Sequence, residues 1–583
     1  MSVYSLPSSI RSFLSLLSVL SLKVAMKVSE KNLKEPVDLV LSSTEVLLSL
    51  LDSITETQSF KGKWSLMRTK LSALQTHLSE LSSAANDNAL SADLLRSLSA
   101  ALSDGVSLSA CCHNPNPPGG KLKTQNDIDS LAAKIDSLSR DLEVLIKSGV
   151  LCENGAVSSS SSYSKRETIR AETRNLITRL QIGTTESKNS VLDSLLGLLQ
   201  GDDKNVLIAV AQGVVPVLVT VLDSTSSPEI KEKTVTALAK ISTVDSSKHV
   251  LVAEGLGLLH NLLRVLESCS VTAKENSCIA LQVLCHSKEN ARAIGCRGGI
   301  SSLLQICQTG TPNCQAVAAA VLKSLAVFGE IKDDFIEENA IMILLHLSNS
   351  GTASAQENAI GCLCNLVNGD DNLKLIVARE GGIESLKNFW DSSPSIQSLE
   401  APVQMVRALA SCPLIADFLV DHDFLSRIAS VLSCGVLGVR IAAARAVSDL
   451  GYTARTRKEL GEIGSIPPLV AMLDGKAVEE KDAAAKALSN LMAYAGNHRI
   501  FKNEERGIPS VVQLLDPVIH NLDKKSPISI LNAVVDSKTC RKTMVAAGAV
   551  AYLQKLVDME VDGAKKLLHR LCNGKLWGIF SRP

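Results

Sequence analysis

The sequence predicts an all-α protein in which a long array of short helices follows a smaller helical domain. Three observations predict it. Glycine, or the turn-tolerant residues Asn and Asp, recurs before an apolar helix start at intervals near 42 residues. The apolar residues in between fall in short helical stretches, Ala/Leu-rich in the array and spaced by threes and fours near the front. Hydrophobic residues make up 45% of the 583-residue chain and aromatics only 3%. The apolar mass is therefore Leu, Val, Ile and Ala, which suits many thin, similar layers better than one large core.

The chain divides into four segments. Residues 1–34 include SLPSSIRSFLSLLSVLSLKVA, which is serine-rich, carries Arg11 and Lys23, and has no acid before Glu30. It reads as an extra helix of the domain behind it, with an organelle-targeting peptide as the alternative. Myristoylation would need glycine after Met1, where this chain has Ser2. Residues 35–148 read as a helical bundle. Met67, Leu71, Leu74, Leu78 and Leu81 form one apolar stripe, and Ile128, Leu131, Ile135, Leu138, Leu142 and Leu145 another. Such stripes seal antiparallel helices against one another. With two further apolar segments they give about four helices, and NPNPPGG (114–120) is a loop. Residues 149–165, with SSSSSYS, read as a flexible linker.

Residues 166–583 hold about nine repeats. The turn positions are Gly213, Gly255, Gly299, Asn339, Gly382, Asp423, Gly464, Gly507 and Gly548. Each precedes a short apolar helix, a polar break and then an Ala/Leu-rich helix such as KTVTALAKIS or AAAKALSNLM. Glycine suits such a turn because it accepts left-handed dihedrals without a steric cost, and Asn and Asp are the next most tolerant. Pro216, Pro467 and Pro509 follow in the first helical turn, where a missing N–H is harmless. The apolar stretch VLIAVAQGVVPVLVTVL (206–222) is long enough to suggest a membrane span, but Gly213 and Pro216 split it between two helices.

GVVPVLVTVLDS, GSIPPLVAMLDG, CLCNLV and ALSNLM, at this period, resemble the armadillo repeat. The resemblance covers roughly residues 185 to 575. It implies an armadillo-repeat right-handed superhelical solenoid with three helices per repeat, the third lining a concave groove, preceded by the N-terminal bundle. GAKKLLHRLCNGKLWGIF resembles a truncated capping repeat. A bundle followed by such repeats is similar to the plant vacuolar armadillo proteins and to the plant U-box/armadillo ligases. The U-box itself is not matched: residues 150 to 190 hold no proline and no tryptophan and are too few for it. Ligase activity is therefore not an expectation.

Composition narrows the function further. Sixty basic residues balance sixty acidic ones, so no basic footprint points to nucleic acid. Fifteen cysteines show no C-x-x-C spacing and sit mostly in apolar helices, as buried small hydrophobes in a reducing compartment. Cys111, Cys112 and His113 lack the second ligand pair of a zinc site. Ten scattered histidines, a GLG fragment at 255–257 and a GK at 475–476 complete no catalytic or phosphate-binding motif. The expectation is a non-enzymatic scaffold or adaptor with no catalytic residue, no metal and no cofactor.

In armadillo proteins an asparagine of the third helix often hydrogen-bonds an extended peptide. In this sequence that position falls on Lys240, Val283, Ser324, Asn365, Ala408, Asp449, Asn490, Ala533 and Arg570. The groove candidates are therefore Lys240, Ser324, Asn365, Asp449, Asn490 and Arg570, with an extended or disordered protein segment as the expected partner. The nuclear-import adaptors keep a long asparagine ladder with tryptophans one turn earlier, which this chain lacks. Arg440, Arg445, Arg455, Arg457 and Lys458 form the densest basic cluster, a candidate contact for an acidic partner or lipid head groups. Two other readings stay open: an accessory subunit of a ubiquitin ligase, and a membrane-trafficking adaptor. The expected compartment is cytoplasm or nucleus, organelle targeting by residues 1–34 being the alternative.

Overall fold

The computed structural model describes residues 38–81, 89–115, 119–148, 151, 163–223, 227–392 and 395–572. The expectations for residues 1–34, for most of the serine-rich linker and for the part of the capping segment after Cys572 lie outside the described residues. Every regular element among the described residues is helical. The chain splits into two compact units, Met1–Val217 and Leu218–Pro583.

In the first unit, α1 (Leu39–Thr55), α2 (Lys61–Glu80), α3 (Ala89–Cys111) and α4 (Lys121–Lys147) pack around one apolar core. The stripes read from the sequence are that core: Met67, Leu71, Leu74 and Leu78 on α2 face Ile128, Ile135, Leu142 and Leu145 on α4, and all are buried. Each buried Leu or Ile contributes roughly 1.5–3 kcal/mol, which is what holds four helices with little aromatic mass. α5 (Tyr163–Ile182) packs on α4 and continues into α6 (Thr185–Gly201) and α7 (Asp203–Ala211), which pack on it in turn. By their contacts these three helices go with the first unit, so the compact division falls at Val217 and not in the serine-rich stretch.

The second unit is a stack of helical repeats, coarsely an α-solenoid. Its spine is a row of long helices: α8 (Pro228–Ser242), α9 (Val271–Leu284), α10 (Pro312–Leu325), α11 (Ala353–Val367), α12 (Glu400–Ala410), α13 (Leu437–Leu450), α14 (Val478–Leu491), α15 (Lys525–Val534) and α16 (Ala564–Cys572). Each packs on the next, and shorter helices fill the layer behind. Small residues permit the close approach: Ala443, Ala444 and Ala446 on α13 and Ala483, Ala484, Ala485 and Ala487 on α14 are all buried. The first four long helices start on the same device. Ser227, Ser270, Thr311 and Thr352 each accept, through the hydroxyl, the N–H three residues on, at 3.4, 3.2, 3.4 and 3.3 Å. That satisfies one of the N–H groups a helix start leaves open. α12, α13, α14 and α15 begin without any side-chain cap.

The turn residues need correction at three positions. Left-handed dihedrals occur at Gly213, Gly255, Gly298, Asn339, Gly381, Asp423, Gly464 and Gly548. In the third and fifth repeats the turn is thus made by the glycine before the expected Gly299 and Gly382. Those two serve close packing: a Cβ on Gly299 would meet Ile294 Cγ2 at 2.5 Å, and one on Gly382 would meet Val377 Cγ1 at 2.5 Å. Gly507 is right-handed and lies against the Phe501 ring. The stretch at 206–222 breaks at Gly213 as expected, and no single helix among the described residues is long and apolar enough to cross a membrane.

Candidate functional site

Side chains of α11, α12, α13 and α14 line an open cavity of about 490 Å³. It exists because the side chains that would fill it are small. Ala408 on α12 and Gly438 and Ala442 on α13 line it. A Cβ on Gly438 would meet Glu400 Oε2 at 2.7 Å, so the Glu400 carboxylate lies over the first turn of α13. That helix has no side-chain cap, and an anion beside the open N–H groups of its start is favoured.

The rim is charged with both signs. Glu400 and Glu479 sit in the first turns of α12 and α14. Gln404 donates its amide to Glu400 Oε1 at 3.2 Å. Toward the other end of the helices, Arg407 Nε donates to Asp449 Oδ2 at 3.2 Å. Burial pushes the Asp449 carboxyl above its usual range, and the Arg407 guanidinium only partly pulls it back. Arg445 lines the same cavity, is exposed, and makes no hydrogen bond or ion pair with any described residue.

Of the residues singled out in the sequence, Asn365, Arg445 and Asp449 come together here. The asparagines also have structural work. Asn365 Nδ2 donates to the Lys323 carbonyl at 3.0 Å, and Asn490 Nδ2 to the Ser448 carbonyl at 2.6 Å, in each case one repeat back. Asn358 does the same to Ala316 at 3.1 Å. Asn490 Oδ1 also accepts from Arg457 Nε at 2.7 Å. These amides stitch neighbouring long helices. Lys240 lies in the last turn of α8, where a cation favours the helix end, and is not a free charge. Ser324 bonds back to the Ala320 carbonyl in its own helix at 3.1 Å. Arg570 reaches the Asn532 carbonyl at 3.0 Å and Asp536 Oδ1 at 2.8 Å.

The five-residue basic cluster is not held as one patch. Arg440 donates to Glu480 Oε1 at 2.7 Å and to the Cys434 carbonyl at 2.7 Å, with Glu480 only 5% exposed. Arg457 is spent on Gly451 O and Asn490. Arg455 pairs with Glu459 at 2.9 Å, and Lys458 lies 3.8 Å from Glu462. Only the Arg445 side chain remains without a hydrogen-bond or ion-pair partner among the described residues. Reading the single ladder position missed Glu400, Gln404, Arg407 and Glu479. The signal was present one and two helical turns earlier: Gln404 and Glu400 precede Ala408 by four and eight residues, as Arg445 precedes Asp449 by four.

Comparison with known proteins adds the following. Residues 41–150, spanning most of α1–α4, match the family described as "Domain of unknown function (DUF7032)". The chain is 28% identical over 200 residues to U-box domain-containing protein 8 of Arabidopsis thaliana, a stretch covering 33% of this chain and 50% of that one. The chain thus spans half the length of this curated relative. Among solved structures, a crystal structure of an engineered protein from the Northeast Structural Genomics Consortium aligns with a TM-score of 0.57 at 23% identity, covering 69% of this chain and 98% of its own. A second engineered protein from the same consortium aligns with a TM-score of 0.37 at 20% identity, covering 40% of this chain and 96% of its own. The first likeness shows a shared helical fold.

Proposed function

We propose that the protein is a non-enzymatic interaction scaffold: an armadillo-type solenoid holds an extended client segment on its concave face, and the N-terminal helices, as a four-helix bundle, offer a second contact. The observation that supports this most directly is the cavity across α11–α14. It spans four successive repeats, is floored by small residues, and is rimmed by charges of which Arg445 has no partner. Stacked repeats present long surfaces of this kind to elongated partners. The helical-repeat likeness and the partial similarity to a U-box protein fit a binding module. The same similarity favours a second reading, in which the scaffold serves a ubiquitin ligase that supplies its own catalytic parts. In either reading the chain works in the cytoplasm or nucleus without a cofactor.

Plugging the cavity tests the proposal. Ala408→Tyr places a ring on the floor without disturbing a helical position, and circular dichroism checks that the stack is intact. Proximity labelling with the full chain should lose a subset of neighbours in the plugged variant. Ubiquitin-ligase components within that subset would favour the second reading. A neighbour set identical for both proteins would sink the groove as the binding surface.

A further inference from the structure

The cavity has two edges of opposite character, set by the register of the long helices. Glu400 and Glu479 lie at the helix starts. Arg407 and Arg445 lie seven residues further on, counting Arg445 from Gly438. At 1.5 Å per residue that is about 10 Å across the groove. The pattern extends beyond the cavity. Eight residues before the nine ladder positions an acid stands six times, as Glu232, Glu275, Glu357, Glu400, Asp482 and Asp562, against Ala316, Ile441 and Lys525 at the others. At the ladder, or one or four residues before it, stand Lys240, Lys323, Arg407, Arg445 and Lys486.

The helix dipole accounts for part of this, since acids are favoured at helix starts and bases at helix ends. It does not account for Arg445, which sits in mid-helix: α13 has no basic residue in its last turn. Nor does it neutralise the edges. Glu400 and Glu479 form no ion pair with a described residue, and Arg445 forms none either. Arg407 alone is compensated, by Asp449.

An extended chain lying across the long helices sends successive side chains to opposite sides, with period two. One parity then meets Glu400 and Glu479, and the other meets Arg407 and Arg445. We propose that this cavity selects an extended client segment whose alternate positions carry opposite charge, Lys or Arg toward Glu400 and Glu479 and Asp or Glu toward Arg445. This rests on the groove-binding reading given above. A uniformly basic or uniformly acidic segment would satisfy one edge and be repelled by the other.

The test is selection of a displayed random 12-residue peptide library on the full-length protein, followed by titration of synthetic peptides at low and high salt. Enriched peptides should carry opposite charges at odd separations. Moving the same charges to one parity, at constant composition, should weaken binding about tenfold, and salt should erase the difference. R445E makes both edges acidic, so that variant should turn to peptides basic at both parities, with R445Q as a milder variant that only flattens the preference. Arg445 is exposed, so neither change threatens the stack. Peptides lost on Ala408→Tyr but indifferent to charge order, or enriched for a single sign, would overturn the inference and leave the groove reading standing. Failure to enrich any peptide over background would remove both.

Discussion

Replacing Asn490 by Ala asks whether the ladder asparagines hold the stack or the client. The side chain makes two bonds: its amide donates to the Ser448 carbonyl at 2.6 Å, and its oxygen accepts from Arg457 Nε at 2.7 Å. A neutral bond of this kind is worth about 1 kcal/mol net, and one to a charged group about 1.5–3 kcal/mol. Arg457 keeps its bond to the Gly451 carbonyl at 2.8 Å, and the site is half-exposed, so water recovers part of the loss. A net cost of about 2 kcal/mol follows. Asn365→Ala breaks only the bond to Lys323 O and should cost about 1 kcal/mol. Stability in a repeat stack is close to a sum of local and nearest-neighbour terms, so the damage should stay near the altered interface. Native-state hydrogen exchange read by mass spectrometry resolves this. Amides of α13 and α14 should exchange about 30-fold faster in Asn490→Ala, at 1.4 kcal/mol per factor of ten. Those of α10 and α11 should exchange about five-fold faster in Asn365→Ala. Unchanged protection in α13 and α14, or equal effects of the two variants, would refute the stitching role.

Three further outcomes are expected. Gly381→Ala should cost about 1–2 kcal/mol in chemical denaturation, because φ is +93° and a Cβ there meets nothing within 4 Å, so the whole cost is backbone conformation; no loss of stability would mean that the turn is not left-handed. Iodoacetamide at pH 8 should label Cys111 and Cys296, which are exposed, well before the buried thiols. Burial pushes Cys307 up to about 12 and raises Cys278, Cys285 and Cys362 as well, so mass spectrometry should find these four modified only after unfolding. Asp449 has a native pKa raised by burial despite Arg407, so its carboxyl favours folding below the unfolded value near 3.8 and loses that contribution as pH rises through the native value. Asp449→Asn should therefore melt slightly higher than wild type at pH 7, by less than about 1 kcal/mol for a side chain 37% exposed, and equally at pH 3. A lower melting temperature at pH 7 would show that the pair with Arg407 dominates.

The helices of both units could be read from residue spacing because burial repeats along one face of a helix. Met67 to Leu78 and Ile128 to Leu145 were visible as stripes and are core. The turn at Asp423 was legible because few residue types tolerate its dihedrals. The choice between Gly298 and Gly299 was not, since two adjacent glycines look alike until the Ile294 side chain closes over one of them. The serine and threonine caps at Ser227, Ser270, Thr311 and Thr352 recur once per repeat and could have fixed the starts of four long helices.

The site was legible only in part. One ladder position identified Asn365 and Asp449, but a cavity is also made by what is missing, here the side chains of Ala408, Gly438 and Ala442. Pairing was hidden as well. Glu459 and Glu462 stand four residues after Arg455 and Lys458 and were open to reading from spacing, but only packing shows that Glu480 and Asn490 engage Arg440 and Arg457 and leave Arg445 without a partner among the described residues. Local order, being a matter of neighbours along the chain, was written in the sequence: helices, their period and their turns. The pairings of Arg440 and Arg457 depend on residues 40 and 33 positions away, brought alongside by stacking, and tertiary structure alone decided those.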